Sequence, residues 1–344
     1  MNTIQRISIQ TRVRYLKEPF RTSLRTVTHF DVIEFTVETF DGLIGSGEAV
    51  ETPKITGDTN EMILTDLSGG IKDLLGGVTF ESALELAPAL SHLPAAASAK
   101  AAADVALYNL QAAIENRSLP SLLGSSKGSV STDVTVPIAH LPEISQLVEK
   151  RVAEGFHSFK VKLAKESVDL SMEKLRLIRE TVGDSASIRV DPNQAWSVIH
   201  TLSFLERVES EGLLIEYLEQ PTPAGQRAAL AEIRRNTDIR IMADESCFTL
   251  QDLNELLDLE AVDLVNIKIL KSGGLTPALE MARVAREADL EVRVGSMMEG
   301  DGGVFAAAAL AGAIAPDEVH DLDASWWATD SRILYSGGEV ALSC

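Results

Sequence analysis

The sequence predicts an α/β chain in which a parallel β/α barrel follows an antiparallel α+β region. Two observations predict the barrel. From about residue 133, eight short β-branched runs are each followed by a segment of helical period: "DVTVPIA", "FHSFKVKL", "SIRVD", "LLIEYLE", "RIMAD", "DLVNIKI", "EVRVG" and "EVHDLD". This alternation builds a parallel sheet. Polar or charged residues close the runs, and Lys162, Asp191, Glu219, Asp244, Lys268, Ser296 and Asp321 follow one another at intervals of 29, 28, 25, 24, 28 and 25, one strand–helix unit each. A third observation predicts the region before the barrel. Residues 4–14 and 31–40 ("DVIEFTVETF") alternate apolar and polar, and "DGLIGSGEAV" adds Asp-Gly and repeated Gly, the marks of an antiparallel meander. A solenoid or an open doubly wound sheet would give the same spacing, although no repeat of roughly 20 to 50 residues supports it.

In chain order, the meander is followed by helical patterns. "AAASAKAAADVALYNLQAAIENRS" is Ala-rich and places Leu107, Leu110 and Ile114 at i, i+3 and i+7, which predicts a closely packed helix. The polar "GSSKGSV" at 124–130 marks a boundary. The expected organisation is therefore a cap over residues 1–125, a barrel over 126–325, and a terminal segment over 326–344. In that last segment "SRILYSGGEVALSC" has hairpin character and is expected to return to the N-terminal meander, placing the cap over the barrel mouth.

Composition narrows the function. The 344 residues are 45% hydrophobic, enough for a sizeable core, and carry 31 basic against 51 acidic side chains, 31 − 51 = −20. That charge repels nucleic acid and anionic membranes. No run approaches the roughly 20 apolar residues of a membrane helix, no secretory h-region opens the chain, and Cys247 and Cys344 form no disulfide framework. The cytoplasm is the expected compartment.

In a parallel barrel, groups at the C-terminal ends of neighbouring strands converge on one mouth. Asp191, Glu219 and Asp244 then form a carboxylate trio from successive strands. Crowded anions need a cation, and oxygen-only ligands suit Mg²⁺; no Cys/His set supports zinc. Each acid alone also reads as a strand-end residue or helix cap, since "VDPNQ" and "ADES" resemble helix starts. Lys162 precedes the trio by one unit and Lys268 follows it by one. A dication that binds a substrate carboxylate stabilises the enediolate formed when the adjacent carbon loses a proton. One lysine would take the proton from one face and the other return one to the opposite face, inverting a stereocentre. A lysine base must titrate below its ordinary value of about 10.4. Lys160, two residues from Lys162 and on the same strand face about 6.6 Å away, is expected to lower it by like charge. The bland reading of Lys160 is an outward salt-bridging residue.

"KVK", "VDPNQAW", "EQP", "ADES" and "VNIKILKSGG", in this order, resemble the enolase superfamily and its muconate-lactonizing subgroup, along essentially the whole chain. The resemblance implies an α+β capping domain on a modified (β/α)7β TIM-like barrel, with Mg²⁺ on Asp191, Glu219 and Asp244. Relatives resembling mandelate racemase use a His/Asp dyad, and no histidine lies near "VGSMMEG". Within the lysine-pair subgroup, "HDLDASWW" is similar to the Asp-x-Asp segment of dipeptide epimerases, so Asp321 and Asp323 are expected to share a strand face and bracket a substrate α-ammonium. "LRTV" and "ITGD" are similar to alanyl-glutamate epimerases, which implies that Arg25 binds a glutamate carboxylate; Arg21 lies in the same loop. The resemblance also implies substrate contacts from Thr135, Lys160, Ser296 and Met298, while Met298 and the following "EGDGG" depart from that group's pattern.

The expected function is a Mg²⁺-dependent dipeptide epimerase, acting on L-Ala-D/L-Glu from cell wall peptides by two-base transfer between Lys162 and Lys268. The alternatives are an epimerase of hydrophobic or cationic dipeptides, and a muconate cycloisomerase or o-succinylbenzoate synthase using the same machinery. A binding barrel without catalysis, and a Schiff-base aldolase on Lys268 that would leave the acids without a role, are further alternatives. Homo-oligomers are common in the superfamily, and the chain is expected to form one.

Overall fold

The computed structural model describes residues 1–23 and 26–343. Strands β1 (Asn2–Arg21), β2 (Thr26–Thr39), β3 (Ile44–Ala49) and β4 (Thr79–Phe80) form an antiparallel sheet in the order β3-β2-β1-β4. The Ala-rich helix Ala97–Ile114 covers one face, burying among others Ala99, Ala102, Ala106, Leu107 and Leu110 against Ile33, Phe35 and Val37. Small side chains let helix and sheet approach closely. Gly45 and Gly47 of β3 complete that approach, because a Cβ at either would land in the backbone of Ala106 or Ala102. Only the first glycine of "DGLIGSGEAV", Gly42 with φ 78°, makes the turn.

The barrel is built from β5 (Ser129–Thr132), β6 (Val134–Val136), β7 (Ser158–Lys162), β8 (Ser187–Asp191), β9 (Tyr217–Glu219), β10 (Arg240–Ala243), β11 (Leu264–Lys268), β12 (Glu291–Gly295) and β13 (Val319–His320). Strands β6 to β12 form a seven-stranded parallel sheet in sequence order. The short β13 closes it. On one side Gly295 bridges Asp321 in parallel, and on the other the Asp133 N–H donates to His320 O at 2.9 Å. Helices Leu141–Ala153, Val168–Val182, Val198–Ser210, Arg227–Arg234, Leu250–Asp258, Leu275–Glu287 and Asp301–Ile314 follow β6 to β12, giving seven strand–helix units and a final strand. The fold is a modified (β/α)7β barrel with an α+β cap, and all eight runs contribute strands to the ring.

Period-two alternation divides each strand between two environments. In β7, Phe159 and Val161 join the apolar layer beneath the helices, and in β8 Ile188 and Val190 do the same. Lys160, Lys162, Arg189 and Asp191 therefore face the axis. Near the bottom of the barrel Arg189 pairs with Asp133 at 2.7 Å and Glu216 at 2.9 Å. A buried guanidinium needs such partners.

Strands β14 (Tyr335–Ser336) and β15 (Glu339–Ala341) form the terminal hairpin. It adds to β5, whose other neighbour is β13, and not to the N-terminal meander. Contact with the cap comes earlier in the segment, where Ala328 bridges Leu16 and Asp330 pairs with Arg14 at 2.9 Å. Among the described residues no helix is long and apolar enough to cross a membrane.

The closing strand carries a pH liability. His320 is fully buried; its Nδ1 accepts the Val294 N–H at 3.1 Å and its Nε2 lies 3.0 Å from Ala315 O. Both contacts are made only by the neutral ring with its proton on Nε2. Burial pushes its pKa down to about 3, against about 6.5 in an unfolded chain. Because the folded value is the lower one, this contribution is intact above about pH 6.5 and is lost as pH falls toward 3. Stability is expected to drop by about 3 kcal/mol from this group between pH 7 and 4. Urea unfolding across that range would measure it. His320→Gln should be less stable at pH 7 yet show a flatter pH slope; an unchanged slope would assign the acid lability elsewhere.

Candidate active site

The axis-facing ends of β7 to β11 bring the sequence-marked charges to one mouth. Lys162 ends β7, Asp191 ends β8, Glu219 ends β9, Asp244 follows β10 and Lys268 ends β11, so the three acids lie on strands flanked by the two lysines. A cavity at this mouth is lined by Thr135, Lys162, Asp244, Lys268, Ser296, Met298, Asp321 and Asp323. The cap roofs it with Phe20, Thr22 and Ile55. Lys160, Asp191 and Glu219 are almost fully buried and do not line that cavity. Arg25 lies outside the described residues.

Each acid is held by lysine. The Lys160 ammonium lies 2.6 Å from Glu219 Oε2, 2.7 Å from Asp321 Oδ2 and 3.4 Å from Asp191 Oδ2. Lys162 pairs with Asp191 Oδ2, and Lys268 lies 2.9 Å from Asp244 Oδ2 and 3.7 Å from Asp321 Oδ2. On the far side of Asp244, Lys271 pairs with Oδ1 and donates to the Asp244 carbonyl at 2.6 Å and the Asn266 carbonyl at 3.0 Å. Asn266 in turn donates to Glu219 Oε1 at 3.0 Å.

These contacts set the protonation states. Burial pulls Lys160 down, but Asp321, Glu219 and Asp191 outweigh it and hold it well above its ordinary value. Lys268 is likewise pulled down by burial and held above its ordinary value by Asp244 and Asp321. At Lys268 the like charge of Lys160 does pull downward, but Asp244 and Asp321 outweigh it. Burial pushes Asp244 up, and Lys268 and Lys271 bring it far below the usual carboxylate range. Glu219 is pushed up to about 7, chiefly by burial and against the pull of Lys160.

Sequence reasoning missed Glu245 and Asn193, although both sit inside quoted motifs. Glu245 lines the cavity, is pushed up to about 8 by burial and by Asp244, and has a buried Oε2 without a hydrogen bond. The Asn193 N–H donates to Asp191 Oδ1 at 2.7 Å. Adjacency to a strand-end acid was the available signal for both. "VDPNQ" is no helix start: Asn193 and Gln194 have φ of 46° and 66°, and the helix begins at Val198, capped by Ser197. Gln220, after Glu219, has φ 35°, and its Oε1 accepts the N–H groups of Asp244 and Ser246, both at 3.0 Å. Left-handed non-glycine backbone next to these acids stores strain where charged groups must be aimed.

Asp321 and Asp323 both reach the cavity, but with different partners and not from one strand face. Asp321 turns to Lys160, whereas Asp323 Oδ2 accepts the Thr135 N–H at 2.7 Å and the Trp327 indole N–H at 2.9 Å. Strand β13 ends at His320, and Asp323, with φ −83° and ψ 0°, begins the helix Ala324–Trp327. Strand alternation does not extend that far.

The all-oxygen, carboxylate character of Asp191, Glu219 and Asp244 fits a hard dication. The buried Glu219 Oε2 makes no hydrogen bond of good geometry, although Lys160 stands within ion-pair distance of it. Among the described residues no three acidic, histidine or cysteine side chains gather tightly enough to hold an ion by themselves. Asp191 and Glu219 share the Lys160 ammonium, and Asp244 pairs with Lys268 and Lys271.

Residues 143–342 match the family described as enolase C-terminal domain-like, and residues 5–124 match the mandelate racemase / muconate lactonizing enzyme N-terminal domain. The L-Ala-D/L-Glu epimerase of Clostridium acetobutylicum is 34% identical over 299 residues, covering 87% of this chain and 83% of that one. The substrate-liganded L-Ala-D/L-Glu epimerase structure from Bacillus subtilis superposes with a TM-score of 0.95 at 32% identity, covering 99% of this chain and 96% of that one. A dipeptide epimerase from Enterococcus faecalis, complexed with Mg and the dipeptide L-Leu-L-Tyr, superposes with a TM-score of 0.92 at 30% identity, covering 99% and 97%.

Proposed function

The chain belongs to the mandelate racemase and muconate lactonizing enzyme family of the enolase superfamily, and from that membership we propose that it is a dipeptide epimerase. The reaction inverts the α-carbon of the C-terminal residue. The observation that carries the reading is the order of charges around the ring: acids on β8, β9 and β10 between lysines on β7 and β11, beside Asp321 and Asp323.

Asp191, Glu219 and Asp244 would hold Mg²⁺, the ion with which the similar Enterococcus structure is complexed. Bound there, the ion supplies positive charge for the substrate carboxylate and so acidifies the proton on the adjacent carbon. The remaining work belongs to the chain. Lys162 and Lys268 reach the cavity from strands on either side of the acids, so one amine removes the α-proton and the other ammonium delivers one to the opposite face. Lys160, locked onto three carboxylates, keeps its charge and organises the acids beneath the pocket. Asp323, held by Thr135 and Trp327, lines the cavity as a carboxylate for the dipeptide's ammonium. Muconate and succinylbenzoate precursors offer no ammonium to that carboxylate.

The second side chain is read two ways. Glutamate, as in the Clostridium and Bacillus relatives, would need a cation such as Arg25. An apolar side chain is favoured by a specific observation: Phe20, Ile55, Met297 and Met298 line the same cavity. Incubation in D₂O with a panel including L-Ala-D-Glu, L-Ala-L-Leu and muconate separates these readings. Deuterium is expected at the C-terminal α-carbon of at least one dipeptide, followed by the epimer. Absence of exchange across all the dipeptides would sink the assignment.

A further inference from the structure

We propose that Glu48, on the cap strand β3, is a positioning residue for the pocket segment Ser296–Gly300. The helix Asp301–Ile314 begins directly after that segment, and its N-cap residue is Gly300, which has no side chain to offer the first-turn N–H groups. The missing acceptor comes from the other domain. Glu48 is 7% exposed, and its Oε2 accepts the Gly303 N–H at 3.1 Å. A carboxylate at this end of the helix is also favoured by the helix dipole. Arg12 of β1 pairs with the other oxygen, Oε1, and so fixes the carboxylate to the cap sheet.

The motif "EGDGG" becomes intelligible in this light. A Cβ at Gly300 would land on the Glu48 carboxylate, one at Gly302 would press against it at 3.0 Å, and one at Gly303 would land on the carboxylate of Glu299. The three glycines make room for two buried acids rather than for a turn, since none of them has a positive φ. Glu299 then carries the constraint into the pocket, because its Oε1 accepts the Met297 N–H at 2.6 Å. Met297 and Met298 line the cavity. The cap thus acts on the pocket from above, through Phe20 and Thr22, and from the side, through Glu48.

What this positioning does for catalysis rests on the dipeptide reading; whether it occurs does not. The experiment uses the full chain with Mg²⁺, as wild type, Glu48→Ala and Glu48→Gln. Amide hydrogen exchange by mass spectrometry reads residues 296–303, and steady-state kinetics reads the dipeptides that the wild type turns over. In Glu48→Ala the segment is expected to exchange about tenfold faster, the scale of one lost charge-assisted hydrogen bond, with other barrel strands unchanged. KM is expected to rise about tenfold while kcat stays within about threefold, and the preference among C-terminal side chains to flatten. Glu48→Gln, which keeps the shape and an acceptor for Gly303, is expected to restore both. Wild-type exchange in 296–303, uniform loosening of the whole barrel, an unmoved KM beside a loosened segment, or a Gln variant no better than Ala would each overturn the proposal. If the wild type exchanges no dipeptide α-hydrogen, the function falls and amide exchange alone decides on Glu48.

Discussion

Lys162→Ala and Lys268→Ala are each expected to lower epimerisation by about 10² to 10⁴-fold while leaving opposite halves of the hydrogen exchange intact. The size is that of one general acid or base. The asymmetry is the sharper result. If one amine serves each face of the α-carbon, Lys162→Ala still exchanges deuterium into the isomer whose proton faces Lys268, and Lys268→Ala does so only with the other isomer. Neither variant converts one isomer to the other. Both are expected to fold, because the acids keep partners: Lys160 still holds Asp191 and Glu219, and Lys271 still holds Asp244. NMR of each pure isomer in D₂O, with circular dichroism as the check on folding, reads the outcome. The same isomer exchanging in both variants would show that the lysines do not divide the two faces between them.

Much of this was legible because the strands are short and their alternation is strict. In β7, apolar Phe159 and Val161 against Lys160 and Lys162 mark one face for the helices and one for the axis, and the same pattern recurs in β8. Regular spacing then brings strand ends to one mouth, whatever the helices contain. Illegible features depended on contacts between distant segments. Gly45 and Gly47 look like turn residues until the helix they admit is in place. Gly300 and Gly302 have no reading without Glu48, which is distant in sequence: the Glu48–Gly303 bond spans 255 positions. The upward pKa shifts of Lys160 and Lys268 also escaped, since they follow from which carboxylates turn toward each ammonium. Asp323 was legible as a pocket residue, but not its orientation: the strand ends three residues before it, and side-chain periodicity ends with the strand.

Removing divalent cations is expected to silence the enzyme reversibly without unfolding it. Each acid proposed for the metal already has an ammonium partner within the chain: Asp191 has Lys160 and Lys162, Glu219 has Lys160, and Asp244 has Lys268 and Lys271. Unpaired buried carboxylates would be strongly destabilising, whereas these are compensated. Chelation should therefore leave the circular dichroism spectrum unchanged while activity falls by about 10³-fold or more, the scale of several kcal/mol of lost charge stabilisation. Adding Mg²⁺ should restore it. The same titration should raise Tm by a few degrees, since an ion present at 100 times its Kd adds about 2.7 kcal/mol to the folded state. Glu219→Gln should lose most of that thermal response and most of the activity together, because it removes a charged oxygen donor and leaves Lys160 with one partner fewer. Full activity after exhaustive chelation, or a Tm indifferent to Mg²⁺ in the wild type, would mean that these three carboxylates serve the lysines alone, and the α-proton would have to be acidified by Lys160 and its neighbours.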